Sequence, residues 1–243
     1  MPLPADWIVP DWPAPARVKA FVTTRNGGVS SGPYASLNLG TRVRDDADAV
    51  NENRARVRAC LPEEPRWLHQ VHGTHVAQAE EVAGEVEADA AFTRASNAVC
   101  TIQIADCLPV LFCDRDGACA AAAHAGWRGL SAGVLEQTMA ALRVPPSSLM
   151  AWLGPAIGPR GFEVGADVLD AFARSDPTHS AFTATRPGKW MADLFTLARQ
   201  RLAAAGLSAI FGGDLCTFSQ PTRFFSHRRD RITGRQAAFI WLE

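Results

Sequence analysis

Three of the six histidines in the 243-residue chain, His69, His72 and His75, fall in one short stretch, HQVHGTHV. Imidazoles are ligands for zinc and copper and are also general bases. A zinc ion that does chemistry takes three protein ligands and keeps a fourth position open. If the stretch is extended, His69 and His75 lie odd-numbered steps from His72 and project to the opposite face, so the three cannot converge on one ion. Partners must come from elsewhere in the chain. Cys107, in IADCLPVLF, and His124, in AAAHAGWRG, sit where apolar runs meet Pro- or Gly-containing turns. Such strand ends gather side chains from distant parts of a chain. The separations of 35 and 17 residues between His72, Cys107 and His124 match no Cys-x-x-Cys pattern, so spacing alone does not single out a ligand set.

Cys107 has two competing uses. Its thiolate is a zinc ligand, and beside a histidine it is also a nucleophile; a bound metal would quench the second role. Asp106 either shuttles protons at the site or accepts hydrogen bonds in the turn. Arg25, Arg128, Arg223, Arg228, Arg229, Arg231 and Arg235 offer guanidinium forks that suit phosphate, and Arg25 and Arg228 are taken as the substrate contacts. The others are read as solvated surface, with SHRRDR as the wet end of a hairpin. Gly27 and Gly28 would let backbone N–H groups approach an anion. Cys60, Cys100, Cys113, Cys119 and Cys216 match no zinc-finger spacing and are read as core residues.

Short strands and a few helices must position these groups. VKAFVTTR from Val18 reads as a first strand, followed by the long polar loop NGGVSSGPYASLNLG. DDADAVNENRARVRACL carries a helix signature with acidic residues at its start. The segments RWLHQVHGTHVAQA, AVCTIQIADCLPVLFCD and GACAAAAHAGWRGL read as β-rich. LSAGVLEQTMAALRV, ADVLDAFAR and ADLFTLARQRLAAAG read as helices, whereas MAWLGPAIGP, SAIFGGDLCTF and RQAAFIWL read as strands. The runs at 99–104 and 108–113 read as neighbouring strands, too close in sequence for a parallel crossover. The fold class is therefore α+β, with mixed or antiparallel sheets and flanking helices, in a single domain spanning 1–243.

A chain with 47% apolar and 20% charged residues can bury a substantial core without disulfides. Its 24 basic and 25 acidic residues leave a formal charge of −1, without the broad basic excess that would point to a phosphate backbone as partner, so nucleic acid is not expected. MPLPADWIVPDWPAPARVKAF has no apolar run of signal length, and no later stretch suits a membrane span. The expectation is a reducing, cytoplasmic location, with a monomer favoured.

TTRNGGVSSGPYASLNLG, HQVHG, ADCLPVLF, AHAGWRG, GPAIGP and FFSHRRDRITGRQAAFIWL, in this order, resemble the laccase-domain or multicopper polyphenol oxidase-like proteins, the YfiH-type purine nucleoside phosphorylases. The resemblance runs from about Thr23 to the C-terminus and implies a layered α/β sandwich. It implies His72, Cys107 and His124 as metal ligands; Cys107 and His124, with Asp106 as the carboxylate beside them, are taken as the catalytic residues. The implied cofactor is Zn2+, with Cu2+ as an alternative occupant. The implied activity is phosphorolysis of adenosine, inosine, guanosine or methylthioadenosine, together with deamination of adenosine, on purine nucleosides and phosphate as partners. Multicopper chemistry needs repeated His-x-His pairs, of which this chain has none. The chain also lacks the H-x-E and P-C-x-x-C signature of standard zinc deaminases. A second resemblance, to cysteine hydrolases acting on an amide or ester such as a misloaded peptidoglycan precursor, would make Cys107 and His124 a thiolate pair.

Overall fold

The computed structural model describes residues 3–176 and 179–243. In chain order the first half comprises β1 (Val18–Val22), α1 (Ala47–Arg58), β2 (Leu68–His69), β3 (Val76–Gln78), β4 (Val86–Glu87), β5 (Ala90–Thr93), β6 (Cys100–Ile104), β7 (Leu108–Asp114) and β8 (Ala120–Ala125). The second half comprises α2 (Trp127–Ala132), α3 (Val134–Ala141), β9 (Leu149–Leu153), β10 (Glu163–Val164), α4 (Ala166–Phe172), β11 (Phe182–Arg186), β12 (Lys189–Ala192), α5 (Leu194–Ala204), β13 (Ala209–Gly212), α6 (His227–Asp230) and β14 (Gln236–Leu242).

A six-stranded sheet of order β13-β9-β7-β8-β5-β3 is antiparallel except at its two edges. A three-stranded antiparallel sheet, β1-β14-β6, packs on one of its faces. Period-two alternation sorts the side chains into layers. In β14, Ala238, Ile240 and Leu242 face the six-stranded sheet, while Ala237, Phe239 and Trp241 face Val57 and Leu61 near the end of α1. In β7, Leu111 and Cys113 enter the inter-sheet core, while Val110 and Phe112 pack under the helical layer that includes Leu130, Leu135 and Leu197. The result is a helix, sheet, sheet, helix sandwich of the α+β kind that the sequence implies.

The helices have local causes. Asp46 and Asp193 cap α1 and α5 by accepting from the backbone N–H groups of Ala49 and of Phe195 and Thr196. The expected single helix from Leu130 is instead two, because Gly133 takes a left-handed φ of 104° between α2 and α3. Three further expectations change. The strands at 99–104 and 108–113 are not neighbours: β6 pairs with β14, and the chain then crosses to the other sheet to begin β7. SHRRDR forms the short helix α6, capped by Ser226, rather than a hairpin end. In SAIFGGDLCTF only Ala209–Gly212 is a strand. Cys100, Cys113 and Cys119 are buried as expected, but Cys60 and Cys216 are only half-buried, and the Cys216 sulfur accepts from the Gly158 N–H at 3.2 Å.

Candidate metal centre

The crossing between the two sheets makes the site. Ala105, Asp106 and Cys107 carry the chain from β6 to β7, and Asp106 takes a left-handed φ of 97° that non-glycine residues rarely adopt. The conformation is held from outside. The Asp106 carboxylate accepts from the Thr217 hydroxyl at 2.6 Å and from the Arg228 backbone N–H at 2.6 Å, and its carbonyl accepts from the Ile157 N–H. Both carboxylate oxygens are thus used in fixing the turn, which favours the turn role of Asp106 over the proton-shuttle role.

The turn aims Cys107 at two imidazoles. Its sulfur lies 3.7 Å from His72 Nε2, and the ligand atoms of His72, Cys107 and His124 all lie within 4.8 Å of one another. Among the described residues this is the one such cluster of three metal-ligating side chains. His124 is buried in β8, opposite Pro109, and its backbone N–H donates to Asp89 O at 2.7 Å. His72 sits in the turn between β2 and β3 with φ 62°. His69 and His75 stay outside the cluster, but not by strand alternation, because the segment between them turns. His69 lies on β2, paired with Glu87, and His75 Nδ1 is 2.8 Å from Glu87 O.

The residue that organises the candidate ligands is Asp89, which the sequence alone does not single out. It is fully buried. Its Oδ1 accepts from the His72 N–H at 2.9 Å and lies 2.8 Å from His124 Nδ1; its Oδ2 accepts from the N–H groups of Val71 at 3.1 Å and Gly73 at 2.6 Å. Asp89 therefore holds the left-handed turn that presents His72 and also orients His124. With Nδ1 directed at the carboxylate, Nε2 of His124 is the ring nitrogen left for a metal, as in carboxylate-backed metal histidines. The detectable signal was an acidic residue inside the alanine-rich text EADAAF, since an isolated buried charge is costly without partners.

Electrostatics distinguish Cys107 from the other cysteines. Burial pushes up the thiols of Cys100, Cys113 and Cys119, the last to about 12. Burial also pushes Cys107 up, but His124 and His72 outweigh it and bring the thiol down to about 6. Burial lowers His124, yet Cys107 and Asp89 raise it to about 9. Burial raises Asp89, but its bonds to His124, Gly73 and Val71 leave it below the ordinary carboxylate range. Two imidazoles and a readily ionised thiolate, with a carboxylate behind one ring, form a donor set that suits zinc or copper. The same Cys107–His124–Asp89 chain has the form of a thiol nucleophile, base and orienting acid.

The cluster opens into a cleft of about 460 Å3, within the range of small-molecule sites. Arg42, Arg128, Arg235 and His227 are in its lining, with Gln70 and Gln103. Arg25 and Arg228 are not. Arg25 donates to the carbonyls of Ala35 and Pro221 and lies over Phe225, and Arg228 donates to Glu163 O at 2.8 Å and lies over Phe162. Their guanidinium groups brace loops rather than line the cleft. Gly27 and Gly28 are likewise outside the lining, and the Gly28 N–H donates to the Ser36 hydroxyl. The AHAGWRG glycines have a packing reason: a Cβ on Gly126 would come within 2.8 Å of the His72 ring and 2.9 Å of the Cys107 sulfur.

A sandwich of two sheets with a His-Cys-His cluster at their crossing defines a class, and the comparisons identify it. The chain belongs to the family described as multi-copper polyphenol oxidoreductase laccase, whose profile matches residues 19–243. It is 55% identical over 239 residues to a purine nucleoside phosphorylase of Pseudomonas aeruginosa, covering 98% of both chains. It is 52% identical over 238 residues to the purine nucleoside phosphorylase YfiH of Escherichia coli, covering 97% of this chain and 98% of that one. Among solved structures, a Neisseria meningitidis protein superposes with a TM-score of 0.94 at 50% identity, covering 98% and 99% of the two chains. YlmD of Geobacillus stearothermophilus gives 0.89 at 34% identity, covering 100% and 98%.

Proposed function

We propose that this chain is a zinc-dependent purine nucleoside phosphorylase, acting on adenosine, inosine, guanosine or methylthioadenosine, and that it also deaminates adenosine. The observation that carries the reading is the meeting of His72, Cys107 and His124 at the edge of a nucleoside-sized cleft, in a chain whose relatives are named purine nucleoside phosphorylases. Those three residues would hold the metal. Bound there, zinc would supply a Lewis acid and activate water near neutral pH. The chain's own part is to keep the ligands in place. Asp89 fixes the His124 ring and the turn bearing His72, and the Asp106 turn fixes Cys107. The family's copper name does not extend to a multicopper centre here, because the described residues offer one three-ligand cluster and a trinuclear assembly needs many more imidazoles.

One observation favours a second reading, a cysteine hydrolase: the lowered Cys107 thiol beside a raised, Asp89-backed His124. The two readings compete for one sulfur and are separable. With adenosine and phosphate, the purified protein is expected to release adenine and ribose 1-phosphate. Without phosphate, adenine release should nearly stop while inosine formation persists, because water is the nucleophile for deamination. Equal adenine release with and without phosphate would make the enzyme a nucleoside hydrolase. Neither product, combined with iodoacetamide labelling of Cys107 in the protein as purified, would favour the cysteine hydrolase.

A further inference from the structure

The arginines lining the cleft differ in what already occupies them. The Arg42 Nε and NH2 groups are taken up by the Glu85 carboxylate at 3.2 and 2.9 Å. Arg128 lies over the Trp127 ring at 4.4 Å. Arg235 is the largely buried one, and it makes no ion pair among the described residues. The anionic groups that act on it are committed elsewhere: Cys107 faces His72 and His124, and Asp106 accepts from Thr217 and Arg228.

Arg235 is also held in place. Its backbone N–H donates to Asn38 Oδ1 at 2.8 Å, and NH1 donates to the carbonyls of Thr233 and Gly234 at 3.1 and 2.9 Å. Its stem packs so closely on residue 40 that a Cβ there would lie 2.8 Å from Arg235 Cγ, which explains a glycine at that position. These bonds use NH1 and leave Nε and NH2 without a partner among the described residues, the pair of donors that grips an oxyanion side-on. A desolvated guanidinium that makes no direct ion pair is expensive unless an anion comes to pair with it. Two further donors, Arg128 and His227, line the same cleft, and Glu85, the one carboxylate in the lining, is spent on Arg42.

We propose that Arg235, assisted by Arg128 and His227, is the anion subsite of this cleft and seats inorganic phosphate as the attacking nucleophile. The assignment rests on the phosphorylase reading and adds the group that delivers its second substrate. The step balances without another reactant. An oxygen of hydrogen phosphate forms a bond to C1′, the C1′–N9 bond breaks, and its electron pair leaves on the purine. The proton of hydrogen phosphate ends on the base, giving ribose 1-phosphate and free purine.

The test uses the full-length, metal-loaded protein and two variants, R235Q and R235K, with melting temperature and zinc content measured alongside. Inorganic phosphate binding is measured directly by calorimetry without nucleoside, and the phosphate dependence of phosphorolysis is measured separately. In R235Q the phosphate Kd and KM are expected to rise roughly 10- to 100-fold, with kcat at saturating phosphate falling much less and R235K recovering part of the loss. Unchanged phosphate binding in folded R235Q would overturn the assignment. Phosphate binding by the parent protein that is lost in R235Q, in the absence of any phosphorolysis, would support the subsite while the phosphorylase reading failed. Arg235-dependent binding of adenosine 5′-monophosphate without binding of free phosphate would overturn inorganic phosphate as the occupant. Should R235Q not fold, R235K decides by the same criteria.

Discussion

Replacing Asp89 with asparagine changes one oxygen to an amide and should disturb metal binding and folding together. The carboxylate oxygens divide the work: Oδ1 serves the His72 N–H and His124 Nδ1, and Oδ2 serves the N–H groups of Val71 and Gly73. If the amide nitrogen takes the Oδ2 position, two backbone donors lose their acceptor. If it takes the Oδ1 position, the His72 N–H is orphaned. His124 can then pair only by accepting at Nδ1, which moves its proton to Nε2, the atom needed for the metal. Each orphaned buried donor costs about 1–3 kcal/mol, and disturbing a carboxylate behind a ligating histidine weakens metal affinity by about 10- to 100-fold. The assay is chelator competition for zinc, paired with urea denaturation of the metal-free protein. Because the two amide orientations damage different functions, a small loss in one measurement must be matched by a large loss in the other. Parent-like zinc affinity together with a parent-like denaturation midpoint would refute the role assigned to Asp89.

His72→Ala, Cys107→Ala and His124→Ala should each lower bound zinc well below one per chain while circular dichroism reports a folded protein; full zinc in two of the three would remove the site. His69→Ala should keep its zinc, since His69 pairs on β2 away from the cluster. Gly126→Ala involves no backbone strain at φ −62°, so its cost, about 1–3 kcal/mol of overpacking, falls on His72 and Cys107; zinc affinity equal to the parent's would contradict that. In the metal-free protein, thiolate absorbance from Cys107 should appear near pH 6 and be absent from Cys107→Ser. The sign of each stability contribution follows from the direction of its shift. The depressed Cys107 contributes above its ordinary ~8.5 and loses that contribution as pH falls through about 6; the raised His124 contributes below its ordinary ~6.5 and loses it as pH rises through about 9. The stability advantage of the metal-free parent over Cys107→Ser should therefore shrink on both sides of that window.

The parts of this molecule legible in the sequence are those set by neighbours a few residues away. Alternation marks β14 and its two faces, and the acidic start of α1 marks its beginning. What was not legible depends on partners far along the chain. Nothing local in LPVLFCD says that it pairs with β8 and β9 rather than with CTIQI a few residues before it, because a strand buried on both faces has no polar side to orient it. Asp89 stands out only as an isolated acid in alanine-rich text; its role is not readable there because its partners lie 16 to 35 residues away. Arg235 looked like the solvated end of a strand. The close fit of its stem against Gly40 exists only after β14 pairs with β1 and β6.

That long-range origin also explains why the site lies where it does. β6 and β7 belong to different sheets, so the three residues joining them must cross the core boundary in one sharp turn, and Cys107 stands at its end. His124 comes from β8 of the six-stranded sheet, His72 from the turn between β2 and β3, and Arg235 from the residue just before β14 of the three-stranded sheet. The distance between the candidate metal ligands and Arg235 is consequently an inter-sheet distance, fixed by the packing of Ile102, Ile240, Leu111 and their neighbours. A close-packed core transmits small volume changes rather than absorbing them. Thinning that layer with Ile240→Val should thus alter the separation of the metal and anion subsites more than the metal cluster itself. Phosphate-dependent turnover should fall while zinc affinity stays near that of the parent, and the opposite pattern would show that the cluster, not the sheet spacing, is the sensitive element.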